Sequence, residues 1–239
     1  MKSTLSHKAH LFTRTIPVLK EQSAYFSIDA VKRSLSADGI ELADNSLRKY
    51  LSQAMSTGLV SDAGRGWYSR HSKPVTLARE PVAKLIKAVS KAFPLLDFCC
   101  WSTTQCNPFA LHLIAQPTNF LYAEEDTLES VGVALREAGW DAWVNPGKSD
   151  AERFVRPGAM TVVLRPSIAK QPTCNAHVAP IEKALVDLTI EANKLQLMDQ
   201  AEVQRILDSA LGSGLLKLPV LFGYAETKRV HIESKEIVY

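Results

Sequence analysis

Apolar residues recur at three- and four-residue spacing in two short stretches near the N-terminus. The spacing then changes to short runs separated by glycines. The first stretch opens at Ser27, a residue able to accept from an orphan backbone N–H at a helix start. Phe26 before it and Val31 after it have the spacing of a hydrophobic staple. Asp29 lies where the helix dipole favours a negative charge. Ile28, Val31 and Leu35 mark one face, and Asp38-Gly39 ends the helix. A second helix is expected after Asp44 as N-cap, with Leu47, Tyr50, Leu51, Ala54 and Met55 as its buried stripe and Gly58 as its stop. Leu59–Asp62 and Trp67–Arg70 read as strands joined by the turn Ala63-Gly64-Arg65-Gly66. Upstream, His10 to Gln22 reads as a helix that Pro17 kinks, or restarts near Thr15.

Two short helices followed by a hairpin give the pattern of a winged helix-turn-helix. The sequence thus predicts a winged-helix domain over residues 1–73, a linker over 74–80 and a larger mixed α/β domain over 81–239. In that second domain, helices are expected from Pro81 to about Ala92, from Asn107 to about Ala115 and from Asp126 or Thr127 to Ala138. Strands are expected at Leu95–Ser102, Phe120–Ala123, Trp140–Val144 and Met160–Leu164. Two further helices follow, one beginning at His177 or Ala179 and one capped by Asp199. The apolar run Leu215–Phe222 surrounds Pro219, and the tail from His231 reads as an edge strand or a loose end. The expected fold class is α+β, ending in helices.

The polar side of the second helix is more informative than its apolar side. At about 100° per residue it gathers Asn45, Lys49, Ser52, Gln53 and Ser56, with Ser46 and Arg48 on the flanks. This face carries no carboxylate. Cations and small hydrogen-bonding groups are what phosphates and base edges in a major groove require. Arg65 at the hairpin tip adds a cation able to reach a phosphate or minor groove. The charge distribution agrees. Residues 1–73 hold eleven Lys/Arg and six Asp/Glu, about +5, against seventeen and nineteen, about −2, in residues 74–239. The expected partner is double-stranded DNA, contacted by Asn45, Ser46, Arg48, Lys49, Ser52, Gln53 and Arg65. Helix pairs with hairpins also serve as protein-docking modules, so that reading stands beside it.

The remaining features narrow the classes. No apolar run approaches the ~20 residues of a membrane span, and the N-terminus has no signal-peptide core, so no membrane partner and a cytoplasmic protein are expected. Cys99, Cys100, Cys106 and Cys174 are then expected as reduced, mostly packed thiols. Cys99, Cys100 and Cys106 with His112 lack paired metal-ligand spacing, so no metal is expected. Glu124, Glu125 and Asp126 read as a helix start rather than a cation site. Glu182, Lys183 and Asp187 flank an apolar stripe and read as solvent-side charges. There is no phosphate-cradling glycine loop and no nucleophile elbow. The chain is expected to be neither an enzyme nor a cofactor binder.

Three segments carry a resemblance. Leu47-Arg48-Lys49-Tyr50-Leu51, Gly66-Trp67-Tyr68, and Ala179-Pro180-Ile181-Glu182-Lys183-Ala184-Leu185-Val186-Asp187-Leu188 resemble the AbiEi-like antitoxins of abortive-infection toxin–antitoxin systems. The resemblance implies an N-terminal winged helix that represses its own operon. It also implies a C-terminal domain that counters a cognate nucleotidyltransferase-like toxin. The alternative is a winged-helix transcriptional regulator whose second domain senses a small-molecule ligand.

Overall fold

Pro17 shapes the N-terminal helix. Proline has no N–H and its ring collides with the carbonyl four residues back. The helical run therefore widens ahead of it: α1 (His7–His10) passes into a π-turn (Leu11–Thr15) and then α2 (Ile16–Gln22), with Ile16 N–H reaching back to the Leu11 carbonyl. The expected kink is thus a local widening that leaves Leu11, Ile16 and Leu19 buried on one side. The protein is described by a computed structural model over residues 6–71, 76–114, 117–232 and 237–238.

The chain is α+β and divides into two compact units. The first comprises Met1–Val75, Asp208–Phe222 and Ile232–Tyr239; the second comprises Thr76–Leu207 and Gly223–His231. Part of the expected linker, residues 74 and 75, lies outside the described residues. The first unit recruits chain from beyond the 1–73 boundary that the sequence suggests.

In the first unit, β1 (Tyr25–Ser27) precedes α3 (Ile28–Ala37), a strand the periodicity does not announce. Ser27 caps α3 as expected, its Oγ accepting from Ala30 N–H at 3.0 Å. The second helix, α4 (Asp44–Ser56), starts one residue earlier than its sequence suggests. Ala43 occupies the cap position without a side-chain bond, and Asp44 sits in the first turn. Its carboxylate instead pairs with Lys32 at 3.0 Å. Leu47, Leu51 and Ala54 are fully buried against Val31, Leu35 and Phe26 in one core. The hairpin follows as β2 (Ser61–Asp62) and β3 (Trp67–Ser69), antiparallel, and β3 pairs antiparallel with β1. The tail supplies a fourth strand, Ile237–Val238, parallel to β1.

The second unit is built on a sheet ordered β4-β5-β7-β6. A 3₁₀ turn (Glu80–Val82) leads into α5 (Ala83–Ala92); β4 (Cys99–Ser102) then runs antiparallel to β5 (Asn119–Ala123). The helix expected from Asn107 does not form. A 3₁₀ segment (Thr103–Phe109) takes its place, started by a Ser102/Gln105 capping box and with Pro108 inside it. After β5 come α6 (Leu128–Glu137), β6 (Asp141–Val144), α7 (Lys148–Phe154) and β7 (Thr161–Pro166). Strands β5, β7 and β6 are parallel. Phe120, Leu121, Val162, Val163 and Leu164 are fully buried, the unbroken apolar runs of strands covered on both faces. Three helices follow before the C-terminal strand: α8 (Ile181–Leu195), α9 (Gln200–Gly212) and α10 (Leu218–Lys228). Among the described residues, no helix is long and apolar enough to cross a membrane.

Candidate nucleic-acid interface and a buried ionic cluster

Burial of Leu47, Leu51 and Ala54 leaves the opposite side of α4 to solvent. Asn45, Arg48, Lys49 and Ser52, at relative positions 0, 3, 4 and 7, are all exposed and form one stripe along the helix. Ser46 is half-buried. Gln53 is also half-buried, and its Oε1 is enclosed without a hydrogen-bond partner. Gln53 is therefore turned further into the protein than the helical wheel implies. The only carboxylate of α4, Asp44, is held by Lys32 at one end.

The hairpin stands beside this stripe. Tyr68 on β3 feels both Arg48 and Asp62; burial raises its pKa most, Arg48 opposes, and Asp62 adds to the rise. Arg65 is exposed at the turn. The turn is built by Asp62, whose Oδ1 accepts from Gly64 N–H at 3.0 Å, and by Trp67 N–H donating to the Gly64 carbonyl at 2.8 Å. Gly64 has φ +103° and lies so close to Pro219 that a Cβ would meet its Cδ at 2.6 Å.

That contact belongs to a brace on the hairpin base from residues 208–222. Leu216 N–H donates to Tyr25 Oη at 2.7 Å, and Leu218 N–H to the Ala63 carbonyl at 3.0 Å. The Ser69 hydroxyl donates to the Gly214 carbonyl, and Arg70 to the Gly212 carbonyl at 3.2 Å. The brace fixes the hairpin that presents Arg65. No sequence period announces it, because it joins segments over 140 residues apart in the chain.

The chain belongs to DUF6577, a family of unknown function, whose model matches residues 46–238. No curated protein matches it. The DUF6577 match begins at Ser46 inside α4, so it takes in most of the exposed stripe, the whole hairpin and the entire second unit.

In the second unit of this DUF6577 chain, the charges expected on a solvent face are buried. Residues 181 to 188 are all buried; Lys183 is 0% and Asp187 2% exposed. Lys183 Nζ donates to Asp187 Oδ2 at 2.7 Å and to Tyr224 Oη at 2.9 Å, while Tyr224 Oη donates to Asp187 Oδ1 at 2.8 Å. The ammonium also lies 3.5 Å from the centre of the Tyr122 ring. Burial pulls the Lys183 pKa down, with Asp187 opposing. Burial, then Asp187, pushes Tyr122 and Tyr224 up. A second pair ties the same helix to β7: Arg165 on β7 meets Glu191 on α8 with two bonds of 2.9 and 2.6 Å, and also donates to the Pro146 carbonyl at 2.8 Å.

The sequence signal for this cluster is the spacing of Lys183 and Asp187, four apart in a segment whose apolar residues Ile181, Ala184, Leu185, Val186 and Leu188 reach all round the helix. Such a helix is enclosed, and its charges must pair internally. With Lys183 fully enclosed, its charge is met by Asp187, Tyr224 and the Tyr122 ring.

The cysteines also depart from expectation. Cys99 and Cys174 form a disulfide with Cα atoms 5.9 Å apart, while Cys100 and Cys106 are buried thiols. Glu124, Glu125 and Asp126 are exposed at the entry to α6, in the helix-start role read from the sequence.

Proposed function

We propose that this protein binds double-stranded DNA through α4 and the β2–β3 hairpin, as a repressor of the antitoxin type. The observation that carries the reading is the exposed stripe Asn45, Arg48, Lys49 and Ser52, seated by buried Leu47 and Leu51, with Arg65 exposed on a braced hairpin beside it. The order α2, β1, α3, α4, β2, β3 is compatible with a winged helix-turn-helix, in which the second helix of the pair enters the major groove. Lys49, Arg48 and Arg65 would hold phosphates. Asn45 would read a base edge. The antitoxin role, with a nucleotidyltransferase-like toxin as its second partner, rests on the residue resemblance in α4, the hairpin and α8.

The test is binding of the full chain to its own promoter DNA. Affinity is expected to fall as salt rises, because neutralised phosphates release counterions. Lys49→Ala with Arg65→Ala is expected to weaken binding to all sequences. Asn45→Ala is expected to relax sequence preference by ~1–3 kcal/mol. A folded double variant that binds as tightly as the parent removes the assignment.

A second reading, a ligand-sensing regulator, has one observation in its favour. A cleft of about 630 Å³ lies at the carboxyl ends of β5 and β7, lined by Glu124 and by the segment after β7. The chain leaves β5 across β7 toward β6, and leaves β7 across β5 toward the far edge of β4, so both connections start at this end of the sheet. Ligands of open parallel sheets bind outside the carboxyl ends of the strands, which is where this cleft lies. A small molecule that raises the melting temperature and shifts DNA affinity would favour this reading.

A further inference from the structure

The segment that leaves β7 turns back over the sheet. Val178 bridges in parallel to Cys100 on β4. Cys100 N–H donates to the His177 carbonyl at 2.8 Å, and Ala179 N–H to the Cys100 carbonyl at 2.9 Å. The imidazole of His177 stacks on Phe98, ring centres 4.0 Å apart. Between these anchors and β7, residues 167–174 contain no helix or strand. Two consecutive non-glycine residues, Ala176 (φ 47°) and His177 (φ 68°), hold left-handed backbone that side chains disfavour. Such a conformation persists only where its surroundings enforce it. The covalent part of that enforcement is the bond from Cys174 to Cys99 on β4.

Both sulfur-bearing residues line the cleft. Cys99 is 2% exposed, whereas Cys174 is only partly buried. A reductant entering the cleft therefore meets Cys174 first. The other two thiols do not compete. Burial pushes Cys100 and Cys106 up to about 12, which leaves almost no thiolate near neutral pH.

We propose that Cys99–Cys174 is a reversible thiol–disulfide modification site, a latch that fixes the segment after β7 over the cleft and is opened by a dithiol reductant. One thiolate of the dithiol attacks Cys174 Sγ. The Cys99–Cys174 bond breaks, and Cys99 leaves as a thiolate and takes a proton. The second thiol of the reductant then attacks the mixed disulfide and releases Cys174. Two electrons and two protons pass to the protein, and the dithiol ends as its own disulfide. Opening removes a cross-link between residues 75 apart and frees the left-handed stretch to relax. The inference is independent of DNA binding.

The experiment uses the full chain purified without reductant. Alkylation after unfolding is expected to label two thiols, and peptide mapping to recover Cys99 joined to Cys174. Labelling of all four overturns the proposal. Dithiothreitol added to the folded protein is expected to raise hydrogen exchange in residues 167–179 and to lower the melting temperature by roughly 10 °C, with both reversed on reoxidation. A bond that yields only in denaturant is a permanent staple, and the latch is then wrong. Cys174→Ser is expected to show the reduced exchange pattern and no response to dithiothreitol. Cys106→Ser is expected to keep the response. A Cys174→Ser protein with the parent's exchange pattern in residues 167–179 also overturns it, and needs no Cys99 variant to fold.

Discussion

Single residues decide most in the buried cluster of the second unit. Lys183 is paired with Asp187 and Tyr224 and faces the Tyr122 ring, so removing one partner strands the others. Asp187→Ala is expected to destabilise the protein by ~3–5 kcal/mol, because it leaves an uncompensated buried ammonium. Lys183→Met with Asp187→Leu is expected to cost much less than that single change. Denaturant melts of the variants decide it, and an Asp187→Ala cost under about 1 kcal/mol would show that the ammonium finds water.

Burial in the second unit also sets an alkaline limit. Cys100 and Cys106 are raised from 9.0 to about 12, and Tyr122 and Tyr224 are raised above 10.0. Each raised group keeps its proton longer in the folded state. The stability it contributes is complete below its unfolded pKa and is lost as pH rises through the folded one. Lys183 is lowered from 10.5, so it acts in the opposite sense and gives stability back as pH rises toward that value. With Tyr68, also raised, five groups outweigh one, and the melting temperature is expected to fall progressively above about pH 9. A flat profile between pH 8 and about 11 would contradict this.

At the scale of elements, the sequence was most legible where local rules act alone. Ser27 caps α3, and Gly39 and Gly58, both with φ 72°, end the helices they follow. Ser27→Ala is expected to cost about 1 kcal/mol in thermal melts. Asp44 shows where such rules stop. It has the chemistry of a cap, but Lys32 on the neighbouring helix captures its carboxylate. The hairpin turn is more demanding than its residue types suggest. Gly64→Ala must adopt φ +103° and also displace Pro219. The expected loss is ~1–3 kcal/mol, accompanied by weaker DNA binding if Arg65 is thereby misplaced. A Gly64→Ala protein with parental stability would mean that the turn re-forms around the side chain.

At the scale of the molecule, the first unit is discontinuous. Tyr25, Ala63, Ser69 and Arg70 take partners from residues 212–218, and Tyr25–Phe26 pair with Ile237–Val238. Residues 1–73 expressed alone lack all of these. The fragment is expected to melt at lower temperature and with less cooperativity than the same unit in the full chain. A sharp melt with undiminished DNA binding would show that the module stands on its own.

The sequence alone determined the features that arise from spacing along a few turns of chain. These are the α3–α4 pair with its exposed polar stripe, the glycine turn carrying Arg65, and the alternation of helix and strand in the second unit. Period, cap and turn act among near neighbours, so they can be read without a third dimension. Tertiary structure alone decided which partners the enclosed polar groups meet. The apolar residues around Lys183 and Asp187 signal an enclosed segment, but only packing brings the two charges, in the buried stretch 181–188, to Tyr122 and Tyr224. It alone also joined Cys174 to Cys99 and set residues 208–222 against the hairpin. In each case the contact joins distant segments, and its energy depends on burial, which packing creates and no local pattern records.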